Sequence, residues 1–121
     1  TCALPISREG KTGQERIKSA MMRLRQNKEK RLAGVPVRAI DDYLTSQRLD
    51  LEIGRTSQLD LAQSDVLIYE LDGLDWFGVR PSGTQPKIKI YFGVYGDDQA
   101  DCDRRLEDLI QRVESHVTSG L

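Results

Sequence analysis

The chain is poor in the residues that most often carry metals and redox chemistry: of 121 positions, one is histidine and two are cysteine. A lone His116, in the last turn of a helical pattern, excludes a histidine-based metal site and reads as a surface residue facing the helix dipole. Cys2 and Cys102 stand near opposite ends with no metal-ligand spacing, so two unpaired thiols in a reducing cytosol, and with them a cytoplasmic location, are the expectation. No apolar run approaches the ~18 residues of a membrane span, and no membrane partner is expected. Charge of neither sign is in excess, with 18 Lys and Arg against 19 Asp and Glu. A broad positive field that would attract nucleic acid is therefore missing, and any anion must be captured locally. An initiator methionine and a signal-peptide pattern are also lacking, and residues 1–9 read as irregular or linker, so a segment cut from a longer chain is expected. What is there, 38% hydrophobic and 31% charged residues, is the composition of one globular domain spanning 1–121.

Thr12 and Glu15 have the spacing of a capping box, and Ile17, Ala20, Met21 and Leu24 follow on one helical face, which predicts a helix over 12–27 with Met21 as core filler. The basic run over 28–31 is interrupted by Glu29 and reads as a solvated helix end. Ala33-Gly34 forms a turn, after which 35–40 reads as a strand whose Pro36 argues for an edge position. Residues 44–64 show no sustained period, and such an excursion is mobile, functional, or contains a short strand. From Asp65 onward three antiparallel strands are expected, over 66–71, 76–80 and 88–95, with Asp72-Gly73 turning between the first two. In the last of them Ile88, Ile90, Phe92 and Val94 alternate with Lys89, Tyr91 and Tyr95, giving one core face and one open face. A closing helix starts near Asp97-Asp98 and buries Cys102, Leu106, Leu109, Ile110, Val113 and Val117, which makes Cys102 structural.

Chemistry concentrates in Arg80-Pro81-Ser82-Gly83-Thr84-Gln85-Pro86-Lys87, a loop held by a strand at each end. Arg80 offers a planar fork for two phosphate oxygens, and Ser82 and Thr84 can each give a hydroxyl hydrogen bond. Gly83 permits a positive φ and close backbone approach, so successive N–H groups can converge on an anion. Pro81 and Pro86 stiffen the loop, and Lys89 lies on the Arg80 face if the flanking strands pair. The same residues are turn formers and also fit a plain hairpin connection, which accounts for the loop but not for its flanking cations. The pattern is not a Walker loop, since no Gly-Lys-Ser/Thr ending or following helix is present.

The run from Arg80 through Pro86 to Lys87-Ile88-Lys89-Ile90-Tyr91, with Trp76-Phe77-Gly78-Val79 before it, resembles the phosphate-binding signature in the C-terminal, fourth domain of the phosphoglucomutases and phosphomannomutases, the α-D-phosphohexomutase superfamily. The resemblance implies an α+β, TATA-binding-protein-like fold, a four-stranded antiparallel sheet packed against two helices. It also implies a parent enzyme that interconverts hexose 1-phosphate and hexose 6-phosphate, with a phosphoserine and Mg²⁺ supplied by three other domains. By the same resemblance Arg80, Ser82, Gly83, Thr84 and Lys89 grip the non-reacting phosphate of the hexose, and the segment itself contains no catalytic residue, metal ligand or cofactor. Gln85 replaces the glutamate of the familiar bacterial form, and the glucose and mannose branch fits better than the glucosamine one. A non-catalytic module that binds phosphosugars or mediates interactions is the alternative, whereas balanced charge argues against the nucleic-acid role of the fold's namesake.

Overall fold

The computed structural model describes residues 13–119 in full and 2–9 as backbone. Its elements are β1 (Cys2–Glu9), α1 (Gln14–Gln26), β2 (Arg31–Leu32), β3 (Val35–Asp42), β4 (Gln47–Asp50), β5 (Arg55–Gln58), β6 (Leu67–Leu71), β7 (Trp76–Pro81), β8 (Lys87–Val94) and α2 (Gln99–Thr118). The strands form one antiparallel sheet in the order β1-β8-β7-β6-β3-β4-β5, with the short β2 pairing β3. The α+β class is as expected, but the sheet has more than the four strands predicted. Those four are its centre, β8-β7-β6-β3, and the additions lie on either side.

The additions have no strong periodicity of their own. β1 replaces the irregular stretch expected over 1–9, laddering along all of β8 from Cys2 opposite Val94 to Glu9 opposite Lys87. A strand added to a free edge takes its order from the partner's unpaired backbone, and an edge tolerates Pro5, which has no N–H to give. Across the sheet, the excursion over 44–64 contains the hairpin β4–β5, in which Gln47 faces Gln58 and Asp50 faces Arg55. All four residues of β5 are exposed, so no hydrophobic alternation marks it.

Strand β3 is interior, not the edge that Pro36 suggested, because β4 and β6 pair it on either side. Pro36 itself faces only Arg31 of β2, and the β6 ladder begins at Val37, so the missing N–H falls where the strand has a free side. The two-residue turn joining β2 to β3 uses Ala33 and Gly34 with φ of 52° and 78°, the double left-handed geometry that matches the twist of a hairpin. Helix α1 opens on Gly13 without a side-chain cap, and the expected capping box rests on Thr12, outside the described residues.

Both helices cover one face of the sheet. Ile17, Ala20, Met21 and Leu24 of α1, with Leu109, Val113 and Val117 of α2, join one cluster with Tyr69, Phe77, Val79, Ile88, Ile90, Phe92 and Val94 from the sheet. Tyr69 stacks on Phe77 with centroids 4.4 Å apart, and Phe77 meets Phe92 at 6.3 Å, so the three central strands are tied by their aromatic rings. Met21 and Cys102 are buried, as structural residues would be. The alternate residues of the same strands form the second face, which neither helix covers. There the Trp76 indole lies flat across Gly93, where an added Cβ would come within 2.1 Å of the ring nitrogen.

Candidate functional site

Strands β7 and β8 pair from Trp76 opposite Gly93 to Pro81 opposite Ile88, and the Ser82 N–H donates to the Lys87 carbonyl at 2.8 Å. These two ladders fix both ends of the loop. The sheet register sets what stands beside it: because Ile88 and Ile90 must face the core, Lys89 and Tyr91 are turned outward, and Arg80 stands directly opposite Lys89.

Like charges directly opposite on a ladder repel. Neither Arg80 nor Lys89 has a carboxylate partner among the described residues, and Arg80 instead donates to the Tyr91 hydroxyl, from Nε at 3.4 Å and from Nη2 at 3.2 Å. Its guanidinium carbon lies 5.8 Å from the Tyr91 ring centre, within cation–π range. Farther along the same face the charges are matched: Arg48 bridges Asp41 and Glu70. Burial pushes the Asp41 carboxyl above its ordinary range despite the opposing pull of Arg48. Arg80 and Lys89 thus form an unmatched positive pair beside the loop.

At the end of this strand pair the loop presents backbone donors. The Gly83 and Gln85 N–H groups have no hydrogen-bond partner among the described residues, and the Thr84 N–H reaches only the Ser82 Oγ, at a long 3.4 Å. Gly83, Thr84, Gln85 and Pro86 are exposed, while Arg80, Ser82 and Lys89 are half-buried. Unpaired backbone donors next to a strand pair that bears two unmatched cations suit an oxyanion. One expectation is corrected: Gly83 is not among the residues with positive φ, and a Cβ built on it meets nothing within 4 Å. The loop's own conformation does not require glycine there.

Structure thus brings together all five residues named from the sequence, Arg80, Ser82, Gly83, Thr84 and Lys89, on one loop and its strand pair. Sequence reasoning passed over the bond from Arg80 to Tyr91, though the alternation that puts Lys89 outward does the same for Tyr91. A separate cavity of about 540 Å³ lies between α2 and the β2–β3 turn. Its arginines are already paired, Arg104 with Asp101, Arg105 with Asp75 and Arg112 with Asp108, so it offers no comparable anion site. Among the described residues no group of three or more His, Cys, Asp or Glu could hold a metal ion, and no helix is long and apolar enough to cross a membrane.

Fold and loop together define an α+β domain with a sheet covered by helices on one face and a loop flanked by two cations on a central hairpin. The family model for the phosphoglucomutase/phosphomannomutase C-terminal domain matches residues 17–110, and the chain belongs to that family. It is 37% identical over 102 residues to a phosphoglucomutase of Staphylococcus aureus strain MRSA252, covering 84% of this chain and 18% of that protein. Against the phosphoglucomutase of strain MSSA476 it is 34% identical over 111 residues, covering 92% of this chain and 19% of the relative. The chain therefore spans less than a fifth of the length of the curated relatives it matches.

Proposed function

We propose that this chain is the fourth, phosphate-binding domain of a phosphohexomutase, an intramolecular phosphotransferase that interconverts the 1- and 6-phosphates of glucose or mannose. In this reading the loop holds the phosphate that is not reacting, and the domain closes over the substrate as a lid. The observation that carries it is the pairing of Arg80 with Lys89, two cations facing each other without a carboxylate partner among the described residues, next to a loop whose Gly83 and Gln85 amides have no hydrogen-bond partner among those residues. Such a pair is unfavourable alone and favourable around a dianion.

Each residue has a definite task. Arg80 supplies bidentate charge, Lys89 a second positive point, Ser82 and Thr84 their hydroxyls, and Gly83 an amide with no side chain in front of it. In this reading the segment contributes phosphate binding alone and takes no part as nucleophile or metal ligand. In the parent enzyme a phosphoserine and Mg²⁺ from the other three domains supply the transfer chemistry, and the segment alone is inactive. No nucleic acid or membrane partner enters this reading, and the cytoplasm is its natural setting.

The test is titration of the chain with inorganic phosphate and with glucose 1-phosphate, followed by amide NMR. Shifts concentrated over 82–87 with a dissociation constant in the millimolar range, about 4 kcal/mol of binding, are expected. Arg80→Ala should abolish most of the response. Shifts confined elsewhere, or an Arg80→Ala variant that binds like the parent, would refute the site. A parent reading frame without an upstream serine loop and aspartate-rich metal loop would leave only a phosphosugar-binding module.

A further inference from the structure

We infer that Tyr91 is the positioning residue for Arg80, holding its guanidinium in one orientation on the open face of the β7–β8 hairpin without neutralising it; the inference rests on the phosphate-binding reading above. A guanidinium at the mouth of an anion site has two needs that conflict. It must be held in one orientation, since a free arginine side chain loses up to about 2 kcal/mol of rotamer entropy when it engages a ligand. It must also keep its charge uncompensated, and the commonest restraint, a carboxylate, would compete with the phosphate for the same fork.

The hairpin meets both needs with a neutral phenol. Arg80 faces Lys89 on the ladder, so Tyr91, two residues along β8, is its diagonal neighbour on the same sheet face. Directly opposite Tyr91 stands Gly78, which brings no side chain of its own to that position. The Arg80 side chain lies across the ring, its guanidinium carbon 5.8 Å from the ring centre, with Nε and Nη2 both directed at the hydroxyl oxygen. Nη1 has no partner among the described residues and, with the second hydrogen of Nη2, remains for the ligand.

A merely structural role for Tyr91 predicts something different. In that case Tyr91→Phe, which keeps the ring and its packing, would change neither the order of Arg80 nor phosphate affinity. The test compares the parent chain, Tyr91→Phe, Arg80→Ala and the double variant by NMR, with inorganic phosphate as the probe. Before phosphate is added, the Arg80 Nε–Hε resonance should be ordered in the parent and lose that order in Tyr91→Phe, while backbone amides outside the hairpin and the urea midpoint stay unchanged. Phosphate affinity should fall about fivefold in Tyr91→Phe, the effect of losing one restraining hydrogen bond on the arginine. In the Arg80→Ala background the Tyr91 substitution should have no further effect.

Unchanged affinity and unchanged Arg80 order in Tyr91→Phe, with Arg80→Ala still defective, would overturn the positioning role and leave the phosphate site intact. An undiminished effect of Tyr91→Phe in the Arg80→Ala background would also overturn it, because Tyr91 would then act independently of the arginine. Full phosphate binding by Arg80→Ala would remove both the site and the inference.

Discussion

Gly83 separates what the loop needs in order to fold from what it needs in order to bind. Its φ is not left-handed and a methyl group would meet nothing, so Gly83→Ala should leave stability within about 0.5 kcal/mol of the parent, as measured by urea unfolding. If phosphate approaches the Gly83 amide as proposed, the added methyl crowds it, and phosphate affinity in the NMR titration should fall severalfold. A loss of stability matching the loss of binding would show that the glycine serves the turn alone. At this scale the site was legible to different degrees. Arg80 and Lys89 could be placed together because the apolar alternation of Ile88, Ile90 and Phe92 fixes which way every residue of that strand points. Gly83 could not be read the same way, since residue identity states which dihedrals are allowed and not which are used. The Tyr91 bond stayed hidden because a diagonal contact needs the register of both strands.

Elements with a strong internal signal were legible, and those that borrow their order from neighbours were not. Helix α2 begins where Asp97 and Asp98 suggested: the Asp98 side chain accepts from the Asp101 N–H at 2.8 Å, while Asp101 accepts from the Asp97 N–H at 3.0 Å. That backbone bond, with Arg104 and Arg105 nearby, holds the Asp101 carboxyl below its ordinary range against the opposing effect of burial. A carboxyl lowered in the folded state contributes stability above its unfolded pKa of about 3.9, and that contribution disappears as pH falls through the lower folded value. The stability difference between the parent and Asp101→Asn should therefore be greatest near neutral pH and vanish at strongly acid pH, in urea unfolding measured at both. Strands β1, β4 and β5 lack such local signals. They are short or exposed, or carry proline, and pairing with an existing sheet organises them rather than any amphipathic face.

In the whole molecule, the α+β class and central sheet were legible because helical and two-residue periods alternate cleanly, whereas the strand count was not, since sheet edges are extended by tertiary pairing. Burial follows the same gradient. Tyr69, Phe77, Val79, Ile90 and Phe92 are fully buried in β6, β7 and β8, while every residue of β5 is exposed. Native-state hydrogen exchange should accordingly be slowest in those three central strands and fast in β5, and equal protection of β5 would contradict the described sheet. The loop over 82–86 therefore sits on a hairpin whose core-facing residues are fully buried. That hairpin also holds the chain's single tryptophan, with Trp76 lying flat on Gly93 of β8 and sharing both strands with Arg80. Since its indole senses whether β7 and β8 remain joined, the chain carries a native optical reporter, and its emission can follow the integrity of this hairpin without any attached dye.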